Sequence, residues 1–186
     1  MKNFVFQNPT KLIFGKGMIS KLADEIPAGK RIMVTFGGGS VKANGVYNQV
    51  MKALEGQTVF EFWGIEPNPA IETLREAIDL GKKEKIDFLL AVGGGSVIDG
   101  TKLIAAGLKY WGDAWELVVA GKRVTDTVPL ASVLTLPATG SEMNSGAVIS
   151  RKETKEKYAL YTNNPVFSIL DPETTFSLPD HQVAYG

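Results

Sequence analysis

The stretch Asp87-Phe88-Leu89-Leu90-Ala91-Val92-Gly93-Gly94-Gly95-Ser96-Val97 decides the fold. An apolar run of strand length leads into three consecutive glycines, and a segment with helical spacing follows at about 96–109. In this order of strand, glycine turn and helix, the backbone can approach a phosphate closely and direct helix N–H groups toward it. A glycine turn at a strand end also arises from tight packing alone, so a single copy leaves both interpretations open.

A second copy of the same pentapeptide, Gly37-Gly38-Gly39-Ser40-Val41, follows the apolar run at 31–36. Two glycine turns at equivalent strand ends favour a nucleotide-binding crevice, because open α/β sheets bind ligands beyond the carboxyl ends of their strands. The sequences that flank the two copies do not match. We therefore interpret the repeat as a recurring turn and not as the period of a solenoid.

Hydrophobic periodicity predicts alternating strands and helices along most of the chain. The predicted strands lie at 31–36, 58–62, 87–92 and 130–136, with shorter ones at 146–150, 157–161 and 166–170. The predicted helices lie at 18–26, 42–54, 70–84 and 96–109, and another begins at Leu178-Pro179-Asp180. Residues 2–14 are predicted to be extended, and residues 110–128 to form a surface excursion. The β-α-β-α-β-α order over 31–109 indicates an α/β fold with a Rossmann-like, doubly wound parallel sheet.

Composition excludes several kinds of site. The 186 residues contain no cysteine, which excludes disulfides, thiolate metal ligands and a cysteine nucleophile. His181 is the single histidine, so these residues cannot complete a histidine-rich metal site or a histidine-based triad, and we expect it at the surface. The net charge of zero provides no basic face for nucleic acid, and no apolar run reaches membrane length. These features favour a cytoplasmic protein with no nucleic-acid or membrane partner.

Four segments, taken in order, resemble the iron-containing, or group III, alcohol dehydrogenases. They are Phe14-Gly15-Lys16-Gly17, Gly93-Gly94-Gly95-Ser96-Val97-Ile98-Asp99, Thr135-Leu136-Pro137-Ala138-Thr139-Gly140-Ser141-Glu142, and Leu170-Asp171-Pro172 with Leu178-Pro179. Within that family the chain is most similar to the branch of NADPH-dependent aldehyde reductases and butanol dehydrogenases. The segments that carry this closer similarity are 36–42 and 64–69.

The resemblance implies a parent protein of two domains. A dehydroquinate synthase-like N-terminal domain binds the dinucleotide, and a helical C-terminal domain supplies an aspartate and three histidines to Fe²⁺ or Zn²⁺. It assigns residues 1–178 to the first domain and 179–186 to the start of the second, most of which is absent. A helix that begins at Pro179 and stops at Gly186 is short, so we expect the chain to be the first part of a longer protein. We therefore expect no catalytic residue and no metal ligand within it.

The second glycine turn is the predicted pyrophosphate site. Gly93, Gly94 and Gly95 would let the pyrophosphate approach the main chain, with Ser96 donating a hydrogen bond at the helix N-terminus. Ordering three consecutive glycines costs conformational entropy, which favours a functional role for them. The resemblance places Asp99 near the nicotinamide riboside. A carboxylate in the first turn of a helix also complements the helix dipole, and both interpretations stay open.

The first glycine turn, Gly37, Gly38, Gly39 and Ser40, is the predicted site of the adenosine ribose. The resemblance implies that NAD-preferring relatives carry an aspartate where this chain has Gly38 or Gly39. No carboxylate occurs between Phe36 and Asn48, so nothing there repels a 2′-phosphate. Ser40 and Lys42 could contact that phosphate; the alternative is that Lys42 is a solvated helix lysine. We therefore predict NADP(H) rather than NAD(H).

Other candidate cofactor contacts come from three further segments. Thr135, Leu136 and Thr139 lie at the carboxyl end of a predicted buried strand, and the resemblance assigns them to the adenine and ribose. It also matches Lys157 to a lysine that reaches the cofactor phosphates and Asn68 to a residue beside the adenosine ribose. Each residue also has an explanation that involves no ligand. Lys157 could be an exposed lysine on a strand, and Asn68 could be present because asparagine is common in turns.

The resemblance implies an oxidoreductase that moves hydride between NADP(H) and a small aldehyde or alcohol, with the metal polarising the carbonyl oxygen. The chain alone would bind the cofactor with little turnover. Two alternatives stay open: a glycerol dehydrogenase or dehydroquinate synthase type of the same fold, and a non-catalytic nucleotide-binding module. An edge strand within 2–14 would pair across a homodimer.

Overall fold

The computed structural model describes residues 3–5 and 7–185. Its central element is a six-stranded parallel sheet with the strand order β1-β8-β5-β4-β2-β3. The strands of this sheet are β1 (Lys11–Phe14), β2 (Arg31–Phe36), β3 (Thr58–Phe62), β4 (Phe88–Gly94), β5 (Leu130–Leu136) and β8 (Phe167–Leu170). The remaining strands, β6 (Gly146–Arg151) and β7 (Glu156–Tyr161), form an antiparallel hairpin. The predicted α/β fold with a parallel sheet is confirmed.

The helices that cover the sheet follow the predicted alternation. They are α1 (Leu22–Glu25), α2 (Ser40–Ala43), α3 (Val46–Ala53), α4 (Ile71–Lys83), α5 (Gly95–Gly107), α6 (Ala114–Val119) and α7 (Asp180–Tyr185). Short 3₁₀ segments lie at Met18–Lys21, Ser141–Met143 and Pro172–Thr175. One apolar core joins the sheet to α4, α5 and α6, and a second joins its other face to α1 and α3. Because both faces are covered, β4 and β5 are buried along almost their whole length.

Three sequence predictions need correction. The helix predicted at 42–54 is broken, because Gly45 has a φ of 79° that ends α2 and separates it from α3. Residues 3–5 belong to no strand, and residues 2 and 6 of the segment predicted to be extended lie outside the described residues. Residues 110–128 are not only a surface excursion, since they contain α6, whose Trp115 is buried.

The β6–β7 hairpin lies on the helical layer and is fastened at its tip. The Glu72 Oε1 atom at the start of α4 accepts the backbone N–H groups of Lys152 and Glu153 at 3.1 and 3.3 Å. The Lys152 ammonium also forms an ion pair of 2.6 Å with Glu66. These contacts hold the hairpin beside the carboxyl edge of the sheet.

Candidate nucleotide-binding site

The carboxyl edge of the sheet contains a cleft between β2 and β4, which we call the sheet-edge cleft. The chain runs from β2 outward to β3 and then returns to β4 on the other side of β2. This change of direction is the topological switch point at which open α/β sheets bind their ligands. Both glycine turns lie here, one after β2 and the other after β4.

The second glycine turn passes directly from strand to helix. β4 continues through Gly94, and α5 begins at Gly95. A Cβ atom on Gly93 would lie 2.6 Å from Val97 Cγ2, and one on Gly95 would overlap the Thr139 hydroxyl. Side chains are therefore excluded from this turn by close packing, and the main chain at the N-terminus of α5 forms the floor of the cleft.

The first glycine turn is more open. Gly39 has a φ of 103°, whereas a Cβ atom on Gly38 would meet nothing within 4 Å. Gly37 approaches the neighbouring segment closely, since its Cβ would lie 3.3 Å from the carbonyl oxygen of Ile65. The two copies of the pentapeptide therefore have different surroundings: the first lies at an exposed rim and the second at a packed floor.

An aromatic cluster borders the first glycine turn. The Trp63 ring stacks on Phe36 with 4.0 Å between ring centroids. The Lys42 ammonium lies over Trp63 at 4.2 Å and over Tyr47 at 5.2 Å. The Tyr47 hydroxyl and the Trp63 indole N–H both donate to the Glu61 carboxylate at 2.8 Å. These contacts place a cation beside the turn and occupy both oxygens of the nearby carboxylate.

Asn68 and Lys157 close one side of the cleft. Asn68 adopts a left-handed backbone conformation with a φ of 56°, which asparagine tolerates better than most residues. Its side-chain oxygen accepts a hydrogen bond of 2.7 Å from the Lys157 ammonium, which the hairpin brings across from β7. The backbone N–H of Asn68 donates to the Ser96 hydroxyl at 3.4 Å. The turn, the hairpin and α5 therefore meet at one point.

Asp99 lines the part of the cleft that faces the hairpin. Its Oδ2 atom accepts the backbone N–H of Val148 at 2.9 Å, while its buried Oδ1 atom has no hydrogen-bond partner among the described residues. Burial raises the pKa of Asp99 above its usual range, and the Val148 N–H, the nearby Ser141 side chain and the Lys102 ammonium oppose that rise. A buried acceptor without a partner is available to a ligand donor such as a ribose hydroxyl.

The fourteen residues predicted for the cofactor all line the sheet-edge cleft. They form two adjoining cavities that share Gly95 and Ser96. The first cavity contains Asn68, Asp99, Thr139 and Lys157, and the second contains Gly37, Gly38, Gly39, Ser40, Gly93, Gly94, Thr135 and Leu136. Lys42 lies over the aromatic cluster beside them.

Sequence reasoning did not single out three contributors to this region. Gln182 reaches the cleft from α7, and Ile65 reaches it from the loop after β3. Lys102 lies in α5 and is buried, although its side chain is charged. Its position in an apolar helix is the one signal in the sequence that could have identified it.

The described residues contain neither a metal-binding cluster nor a membrane-spanning helix. Within residues 3–5 and 7–185, no group of three or more histidine, aspartate and glutamate side chains is arranged to hold a metal ion. The described residues therefore do not provide the Fe²⁺ or Zn²⁺ site that the resemblance implies for the parent protein. No helix in the same residues has the length and apolar character needed to cross a membrane.

A parallel, doubly wound sheet with two glycine turns at its switch point defines a Rossmann-like nucleotide-binding domain. A sequence model described as iron-containing alcohol dehydrogenase matches residues 9–172. The chain therefore belongs to the iron-containing alcohol dehydrogenase family, as the sequence motifs predicted.

Relatives agree with this assignment. The chain is 53% identical to the NADPH-dependent aldehyde reductase YqhD of Escherichia coli and 52% identical to a probable NADH-dependent butanol dehydrogenase of Bacillus subtilis. Each match covers all of this chain and 49% of the relative, so the chain spans about half the length of these curated relatives. A crystal structure of an NADH-dependent butanol dehydrogenase from Thermotoga maritima superposes with a TM-score of 0.94 at 46% identity, covering 100% of this chain and 48% of that one.

Proposed function

We propose that this chain binds NADP(H) in the sheet-edge cleft and that the whole protein transfers hydride between that cofactor and a small aldehyde or alcohol. The observation that carries the proposal is the convergence of fourteen residues from separate segments on one cleft at the switch point. Two relatives named for aldehyde reduction and butanol oxidoreduction support the reaction class.

The floor of the cleft suits a pyrophosphate. The N-terminus of α5 opens at Gly95, where backbone N–H groups without intrahelical partners and the positive end of the helix dipole favour an anion. The Lys157 ammonium stands on the hairpin side of the same cavity. Together the helix end and the lysine provide positive potential on two sides of one anion.

The rim of the cleft suits a 2′-phosphate better than a bare ribose. The only carboxylate of the bordering aromatic cluster, Glu61, has both oxygens engaged by Tyr47 and Trp63. Lys42 supplies a positive charge beside the turn, at 4.2 Å from the Trp63 ring. The named relatives include NADPH- and NADH-dependent proteins, so the preference for NADP(H) rests on these residues.

The role of this chain in the reaction is to bind and orient. When bound, the nicotinamide cofactor supplies the hydride. Asp99 and Asn68 would hold the ribose hydroxyls through acceptor oxygens, and Ser96 would donate to a phosphate oxygen. The described residues provide no metal site, so the polarisation of the carbonyl substrate is not assigned to any of them.

Fluorescence titration of the chain with NADPH and with NADH tests the proposal. We expect both to bind and NADPH to bind more tightly. Equal or tighter binding of NADH would contradict the NADP(H) preference, and the absence of binding by either dinucleotide would contradict the proposed site. A non-catalytic module would bind cofactor but show no butanal reduction in the full-length protein.

A matched pair of lysine variants locates the site. Lys157→Met should weaken binding of both dinucleotides, because it removes a cation from the cavity and frees Asn68. Lys83→Met removes an exposed lysine at the end of α4, on the opposite edge of the sheet, and should leave both affinities unchanged. Equal effects of the two substitutions would show that the lysines act only through net charge.

We also propose a homodimer formed through β1. This strand is an edge of the sheet, pairs among the described residues with β8 alone, and exposes Leu12 and Phe14. An unpaired edge with exposed apolar side chains is suited to pairing with a second copy. Sedimentation velocity at micromolar protein concentrations should show a dimer, and the substitution Leu12→Lys should dissociate it. A wild-type protein that is monomeric at every concentration would contradict the proposal.

A further inference from the structure

Lys102 is a lysine with no exposed surface in the middle of α5. Its ammonium donates hydrogen bonds to the carbonyl oxygens of Ser141 and Gly146 at 2.8 and 2.6 Å and to Asn144 Oδ1 at 3.1 Å. The three donors of an ammonium are therefore all used. All three acceptors belong to the segment 141–146, which we call the loop 141–146; it forms the last part of the connection from β5 and includes Gly146, the first residue of β6.

The loop 141–146 is a wall of the sheet-edge cleft. Ser141, Asn144 and Gly146 line the cavity, whereas Lys102 stands behind them and does not line it. The same helix carries Gly95 and Ser96 at the floor of the cleft. The buried Lys102 side chain therefore connects the helix that forms the floor to this wall.

A second residue of α5 holds the adjoining part of the wall. Asp99 lies three positions before Lys102, on the same face of the helix, and accepts the backbone N–H of Val148. The loop also bonds to itself, because Asn144 Oδ1 accepts the backbone N–H of Gly146 at 2.9 Å. Without Lys102, two loop carbonyl oxygens would lose a charged donor in a buried place.

Simple packing does not explain a lysine at this position. Burying an ammonium is unfavourable, and an apolar side chain of similar length would fill the same space without that cost. The burial of the ammonium is compensated by its three hydrogen bonds, whose acceptors all lie in the loop 141–146. A lysine at this position is therefore better explained by its hydrogen bonds to the loop than by the volume it fills in the core.

We propose that Lys102 is a positioning residue for the cofactor site, which fixes the loop 141–146 against α5 so that the cleft is preformed for the dinucleotide. The inference rests on the proposed function, since it concerns the same cleft. Lys102 itself touches no cofactor; its effect is transmitted through Ser141, Asn144 and Gly146.

The charge of Lys102 provides a specific readout. Burial lowers the pKa of Lys102 to about 8, and the nearby carboxylates of Asp99 and Glu142 oppose that lowering. The side chain is therefore charged at neutral pH and loses a proton as the pH rises through about 8. A neutral amine has two donors for three acceptors, so the wall loosens at alkaline pH.

The test compares Lys102→Met with Val50→Ala, a buried core substitution in α3 whose side chain lines neither cavity of the cleft. The dissociation constant for NADPH is measured by fluorescence titration at pH 7 and 9, with the melting temperature of each variant. We expect Lys102→Met to weaken NADPH binding at least about ten-fold at both pH values, and Val50→Ala to leave it within two-fold. The wild-type affinity should fall between pH 7 and 9, toward that of the variant.

If Lys102→Met does not fold, Lys102→Gln replaces it, and its affinity should be weakened and independent of pH over the same range. If the wild type binds NADPH and the Lys102 variant binds it equally well, the inference about Lys102 is overturned but the proposed function is not. An equal loss in Val50→Ala would also overturn it, because the effect would then follow stability. A wild-type chain that binds neither NADPH nor NADH would refute the proposed function and the inference with it.

Discussion

One substitution in the first glycine turn, Gly38→Asp, should reverse the proposed preference for NADP(H) over NAD(H). Gly38 is exposed and a Cβ atom there would meet nothing within 4 Å, so there is room for a side chain to start at this position. Gly39 would not serve, because its φ of 103° strains any residue with a Cβ. The change therefore places a carboxylate at the rim with little effect on the fold.

The size of the effect follows from Coulomb's law. At a separation of about 5.5 Å, two unit charges repel by about 0.75 kcal/mol in bulk water and about 3 kcal/mol at an effective dielectric constant of 20. Because Gly38 is exposed, the lower figure applies, and a phosphate with a charge of about −2 doubles it. The resulting loss of about 1.5 kcal/mol weakens NADPH binding about ten-fold. NADH gains an acceptor for its ribose hydroxyls, worth about 1.5 kcal/mol for a charged hydrogen bond, so the preference should shift about 100-fold.

Titration of the wild type, Gly38→Asp and Gly38→Asn with both dinucleotides checks this expectation. Asparagine has nearly the same shape without the charge, so Gly38→Asn should weaken NADPH binding much less than Gly38→Asp does. The penalty on NADPH should also shrink as the salt concentration rises. Unchanged NADPH affinity in Gly38→Asp, or an equal loss in Gly38→Asn, would refute the electrostatic argument.

Two other predictions follow from contacts outside the glycine turns. Trp63→Leu removes the ring below the Lys42 ammonium. Since an exposed cation–π contact contributes about 0.5–1 kcal/mol, titration should show the preference for NADPH over NADH reduced about two- to five-fold. An unchanged preference would show that Lys42 is not involved. Gly107→Ala places a Cβ atom 2.9 Å from Ile78 Cγ1, so urea denaturation should show a loss of about 1–3 kcal/mol from overpacking. Gly38→Ala is its control, with no loss expected, and equal losses would contradict the packing argument.

The central strands could be predicted from the sequence because each is an apolar run bounded by breakers. The strands predicted at 31–36, 58–62 and 130–136 have the observed bounds of β2, β3 and β5. A parallel strand buried on both faces needs no alternation, so the run itself is the signal. The apolar runs alone do not give the order of the strands in the sheet, which follows only when the doubly wound topology is also known.

The segment 110–128 shows what local pattern misses. α6 has only six residues, too few for a clear helical period. Its N-cap is the Asp113 side chain, which accepts the backbone N–H of Trp115 at 3.2 Å. Trp115 is buried because the hairpin covers it, with Tyr158 at 5.9 Å between ring centroids. That contact joins residues far apart in the sequence, so no local window contains it.

The contacts of Lys102 at the site could not be predicted from the sequence. Its three acceptors lie 39, 42 and 44 positions later in the chain, so their proximity depends on the tertiary fold. Yet α5 is apolar on nearly every side and buried from Val97 to Gly107 apart from Asp99. A helix of this kind has no solvated face on which a lysine could lie, and an unpaired ammonium would not be tolerated inside. A charge within such a helix therefore requires a set of buried acceptors, and the segment that supplies them is fastened to the helix.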